Sequence, residues 1–135
     1  MSLAGKLRGR FFRRNRDASL APAAPFAFDE YQEMAARSAI YDTSKGPALL
    51  YVTGKLAFEA AEASQVALKK VYHNSPRSEA EADRILRKEL GDALWYLSES
   101  CRVKGWKLSD VARENIVKLA GRGSRGALRG SGDDR

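Results

Sequence analysis

The chain has 135 residues, the size of one domain around a single core, and its 44% apolar content is ordinary for a globular protein. Its longest apolar runs, such as Ala48–Val52 and Ala93–Leu97, fall far short of the roughly 20 residues a membrane span needs, so no membrane partner is expected. The net charge of +7 is local: Lys6, Arg8, Arg10, Arg13, Arg14 and Arg16 against Asp17 alone put +5 into residues 1–25 and leave +2 for the rest, a near-neutral remainder for which nucleic acid is not the expected partner.

Residues 1–25 have no sustained period and end in the Ala/Pro stretch Ala21–Pro25, which reads as a linker. A solubilising tail, a transit peptide and a weak arm for nucleic acid or an anionic surface all fit that composition. From Phe26 the pattern is helical. Phe28–Tyr41 is predicted as a first helix, with Asp29 and Glu30 near its start and Tyr31, Met34, Ala35 and Ala39 on its apolar side. Asp42–Pro47 breaks it, because Gly-Pro disfavours helix. A second helix runs from about Ala48 to Tyr72 with a stripe of Leu49, Val52, Leu56, Ala63, Val66 and Ala67. His73–Arg77 is a turn. Ser78 and Glu81 match the S-x-x-E capping box and open a third helix that reaches about Lys104 and stops at Gly105. A fourth starts near Ser109 and ends around Gly121–Gly123, so the folded domain spans 26–123 and residues 124–135 form a Gly-rich tail.

No strand pattern occurs, and four helices with short connections predict an all-α four-helix bundle. The single cysteine, Cys101, excludes an internal disulfide. It falls in the helical pattern and reads as a small core residue in a reducing, cytoplasmic compartment.

Two carboxylate pairs stand out, Glu59 with Glu62 and Glu89 with Asp92. Their i,i+3 spacing puts each pair on one helix face, about 60° apart. Such pairs often decorate a solvated face. Here Asp92 precedes five consecutive apolar residues, Ala93–Leu97, which leave no side of the helix for solvent, and Glu59 and Glu62 stand among Leu56, Phe58 and alanines. Acids in such settings are seldom buried unless paired or bound to metal. Two neighbouring helices that pool four carboxylates offer the oxygen ligands a hard cation such as Mg²⁺ wants. The fourth helix carries Asn115, Lys118 and Arg122 on one stripe, a set suited to phosphate oxygens or to an ordinary exposed face. Lys69 and Lys70 raise the same question two turns beyond Glu62.

Together these residues resemble the MazG-like all-α nucleoside triphosphate pyrophosphohydrolases, whose pattern is E-x-x-E, then E-x-x-D, then N-x-x-K and an Arg. Here it reads Glu59-Ala-Ala-Glu62, Glu89-Leu-Gly-Asp92, Asn115-Ile-Val-Lys118 and Arg122. The segment Lys88–Leu97 is similar to the family's third helix, Phe28–Gln32 to its opening helix, and the Gly130–Arg135 ending to its single-domain phage and bacterial members. Phe58 and Ala61 stand where members of that subgroup often have small residues, and the bulk of Phe58 bears on substrate choice more than on metal binding.

The resemblance implies an enzyme that cleaves a nucleoside triphosphate to monophosphate and pyrophosphate. Glu59, Glu62, Glu89 and Asp92 are then the catalytic and metal-binding set for Mg²⁺, with Mn²⁺ as a substitute. Asn115, Lys118, Arg122 and Lys69 would face the phosphates, and Tyr31, Gln32, Trp95 and Tyr96 the base and sugar, with the core as the alternative place for Trp95 and Tyr96. The all-round apolar third helix predicts a homodimer or homotetramer. Two rivals fit less well. A di-iron bundle needs Glu-x-x-His pairs, and His73 lies in a predicted turn. A non-catalytic module that binds nucleotide or nucleic acid through the basic arm leaves the acids in apolar sequence unexplained.

Overall fold

The computed structural model describes residues 27–72 and 76–126. Among these the chain is all-α, with four α-helices and no strand: α1 (Phe28–Ala36), α2 (Ala48–Tyr72), α3 (Glu79–Val103) and α4 (Leu108–Ser124). A 3₁₀ turn at Thr43–Lys45 lies between α1 and α2. The basic arm at 1–25, His73 and the Gly130–Arg135 ending lie outside the described residues.

α2 and α3, each 25 residues and therefore about 37 Å long, form a helical hairpin and the largest interface in the fold. The antiparallel register follows from two cross-links. Lys70 near the end of α2 pairs with Glu79 at the start of α3, and Glu59 lies opposite Glu89. α1 packs on α3 and α4, and α4 packs on α1 and α3.

Most helix ends follow local chemistry. The Ser78 side chain accepts the Glu81 N–H at 3.2 Å, as the capping box predicts. α3 ends in a Schellman motif: Gly105, at φ 73°, donates to Arg102 O at 2.9 Å, and Trp106 donates to Cys101 O at 2.9 Å. α4 lacks a side-chain cap of its own, and α1 supplies one. Asp29 accepts the Ser109 N–H at 3.0 Å and its hydroxyl at 2.8 Å, and Gln32 Oε1 accepts the Leu108 N–H at 3.2 Å.

α1 stops at Ala36, five residues before the expected Tyr41. The N–H groups of Arg37, Ser38 and Ala39 turn to carbonyls three residues back, and Ser38 Oγ donates to Ala35 O at 2.7 Å. The Trp95 indole of α3 then donates to Ser38 Oγ at 2.8 Å and to Ala35 O at 3.3 Å. That tertiary anchor fixes the break and frees Tyr41 to approach α3.

Among the described residues the buried apolar side chains are few and mostly small: Val52, Ala63, Ala82, Cys101 and Leu108. Cys101 is in the core as expected, where burial pushes its thiol pKa up. Met34, Ala67 and Leu97 are exposed, against expectation. Among the described residues α2 packs chiefly on α3, and α3 keeps part of its Ala93–Leu97 segment at the surface of the single chain.

Candidate metal centre

The hairpin register sets the α2 acids opposite the α3 acids. One oxygen each from Glu59, Glu89 and Asp92 lies within 4.8 Å of the others. The group is graded from inside to outside, with Glu59 buried at 8% exposure, Glu89 half-buried and Asp92 exposed. Glu62 stands one turn beyond Glu59. Loss of water at the helix seam, the hydrogen bond with Glu59, and the charges of Glu59 and Glu89 all push its pKa up. Glu59, Glu62 and Glu89, on two helices, therefore share one electrostatic environment, in which the charges of the other two oppose ionisation of Glu62.

A cation of the chain itself sits at the edge of this group. Lys55, one turn before Glu59, places Nζ 2.9 Å from Glu59 Oε1, 4.6 Å from the Phe58 ring centroid and 5.5 Å from that of Tyr96. The hydrogen bond to Glu59 raises the Lys55 pKa. Its i,i+4 spacing to Glu59 is legible in the sequence, although Lys55 lies outside the E-x-x-E motif.

An aromatic row flanks the acids. Trp95 meets Tyr96 edge-on at 4.8 Å, Tyr96 meets Tyr51 edge-on at 6.3 Å, and Tyr51 stacks on Tyr41 at 5.2 Å. Desolvation first, then the hydrogen bond with Tyr51, push the Tyr96 hydroxyl up to about 12. Burial and then the charge of Asp92 push the Tyr31 hydroxyl of α1 up. At the far end of the row Glu99, 2% exposed, accepts from the Tyr41 hydroxyl at 2.7 Å and from Arg102 Nε at 2.9 Å. Nothing in the motif pattern singled out Glu99, although Arg102 stands at i+3.

Two residues expected near base or sugar have their polar groups engaged within the fold. Gln32 Nε2 donates to Ser98 O at 3.3 Å and to Trp106 O at 3.1 Å while its oxygen caps α4, so both amide protons are committed to backbone. The Trp95 N–H is committed to the end of α1. Lys69 is exposed on α2, about 10 Å along the axis from Glu62, and its neighbour Lys70 pairs with Glu79.

Asn115, the first residue of the α4 stripe, lies across α3 from the acids of its own chain. Asn115 and Lys118 line a cavity of about 350 Å³ with Val111 and Glu114. Asn115 also borders an apolar cavity of about 470 Å³ with Phe28, Leu94 and Leu97. Leu94 and Leu97 project about 160° and 140° round α3 from Asp92, on its opposite side. Arg122 is half-buried in the last turns of α4. The cavity of about 590 Å³ at the α3–α4 elbow, lined by Gly105, Trp106 and Asp110, is also remote, since Gly105 follows Asp92 by 13 residues, about 20 Å along the axis.

These features define an all-helical domain with an oxygen-rich candidate cation site. The model of the MazG nucleotide pyrophosphohydrolase domain matches residues 55–125, a span that takes in all four acids and the α4 stripe. The chain belongs to this family. It is 36% identical over 112 residues to the Gene 37 protein of Mycobacterium phage L5, covering 79% of this chain and 97% of that protein. No solved structure matches. No helix among the described residues is long and apolar enough to cross a membrane.

Proposed function

We propose that the chain is a divalent-cation-dependent hydrolase that cleaves (d)NTP to (d)NMP and pyrophosphate, in the cytoplasm, with residues 26–123 as the functional unit. The observation that carries this reading is the meeting of Glu59, Glu89 and Asp92 oxygens within 4.8 Å inside the matched family domain. The donor set fits the ion. It is all carboxylate oxygen, from two rigid helices, which suits Mg²⁺ and accommodates Mn²⁺. Glu59, Glu62, Glu89 and Asp92 would hold the ion, which when bound offsets phosphate charge and acidifies water.

The remaining chemistry belongs to the side chains. A water held among the carboxylates attacks the α phosphorus, and its proton passes to Glu59 or Glu62. The bond from that phosphorus to the bridging oxygen breaks, and pyrophosphate leaves. Lys118 and Arg122, with Lys69, offset the charge growing on it, and Asn115 orients a phosphate. Because α4 lies across α3 from the acids of its own chain, these groups are assigned to a second copy in a homo-oligomer. The exposure of Leu90, Ile116 and Val117 and the small core of one chain support that assembly.

The test is a panel of ribo- and deoxyribonucleoside triphosphates with Mg²⁺, with Mn²⁺ and with chelator, scored for pyrophosphate against orthophosphate. Metal-dependent pyrophosphate release is expected. Orthophosphate as the product, or turnover in chelator, would overturn the reading.

A further inference from the structure

Lys55 has no part in the function proposed above, yet its ammonium pairs directly with one of the four acids. Its pairing with Glu59 at 2.9 Å is unlike a solvated surface bridge, because the Glu59 side chain is 10% exposed and that of Lys55 35%. The rings of Phe58 and Tyr96 hold the ammonium from other sides. It sits against the buried member of a group whose oxygens lie within 4.8 Å of one another, so an ion that engages Glu59 arrives within a few ångströms of it. Two cations that close repel strongly in a partly desolvated seam.

We propose that Lys55 is a displaceable internal cation: its ammonium holds Glu59 in place while the site is empty and gives up that carboxylate when a divalent ion enters. The inference rests on the metal-site reading above. Lys55 is a positioning residue in this scheme. It lends the crowded acids a counter-charge without closing the site, and its flexible stem lets the ammonium move off toward the Phe58 and Tyr96 faces.

The experiment titrates the full chain with Mn²⁺ alone by calorimetry, in wild type, Lys55→Met and Lys55→Arg. Removing the competing charge is expected to tighten Mn²⁺ binding about threefold to tenfold in Lys55→Met, and Lys55→Arg is expected to stay near wild type. A second measurement needs no variant. Amine acetylation of wild type, read by mass spectrometry, is expected to modify Lys55 faster when Mn²⁺ is bound. Unchanged or weaker Mn²⁺ affinity in Lys55→Met, or Lys55 labelling indifferent to Mn²⁺, overturns the displacement while leaving the metal site standing. A wild-type chain that binds no Mn²⁺ overturns both.

Discussion

Tyr41, in the connection after α1, donates its hydroxyl to Glu99 of α3 at 2.7 Å, and Arg102 closes on the same carboxylate from one turn away. The exposures of the pair are unequal, 2% for the Glu99 side chain and 44% for that of Arg102. Arg102→Ala strands a buried carboxylate, whereas Glu99→Gln leaves a guanidinium that can turn to water. Arg102→Ala should therefore cost about 3 kcal/mol and Glu99→Gln about 1–2 kcal/mol. Urea unfolding of both variants checks the order, and equal costs would refute this account of the pair.

The same group sets an acid sensitivity. Burial alone would raise the Glu99 pKa, but the hydrogen bonds from Arg102 and Tyr41 and the Arg102 charge outweigh it and hold the pKa below the ordinary 4.5. A carboxyl held down in the folded state stabilises it above the unfolded pKa, and that contribution fades as pH falls through the folded value. Between about pH 6 and about pH 3 the wild type should lose more melting temperature than Glu99→Gln. Parallel losses would show that Glu99 does not titrate with folding.

Gln32 ties α1 to the elbow between α3 and α4 through three hydrogen bonds to backbone. Gln32→Glu sets a carboxylate against two carbonyl oxygens and should destabilise by about 2–3 kcal/mol. Thermal and urea melts measure the loss. A stable variant with a raised KM for nucleotide would instead make Gln32 a substrate contact.

Removing one of the clustered acids separates catalysis from folding. Asp92→Asn should lower pyrophosphate release by at least about 100-fold. In chelator the same variant should melt no lower than wild type, because one of four mutually repelling negatives is gone. Near-normal turnover would withdraw Asp92 from the site.

The position of Asn115 across α3 from Asp92 makes the assembly testable by complementation. Asp92→Asn and Lys118→Ala should each be inactive alone. Unfolded and refolded together in equal amounts as a dimer, they should recover about a quarter of wild-type activity, from mixed dimers with one intact site. No recovery, or a monomer by light scattering, would place Lys118 outside a shared site.

The sequence determined whatever depends on neighbours along the chain. The apolar period announced four helices, the Ser78 box and Gly105 bounded α3, and i,i+3 spacing put Glu59 with Glu62 and Glu89 with Asp92 on common faces. These are interactions within one or two turns, readable without coordinates. Tertiary structure decided the rest: the early end of α1 under Trp95, the capping of α4 by Asp29 and Gln32, the burial of Glu99 against Tyr41, and the side of α3 on which α4 lies. Each depends on how one helix is rotated against another, joined by hydrogen bonds 57–80 positions apart in the chain. A periodic pattern marks which face of a helix is apolar, but it does not name the side chains that face will meet.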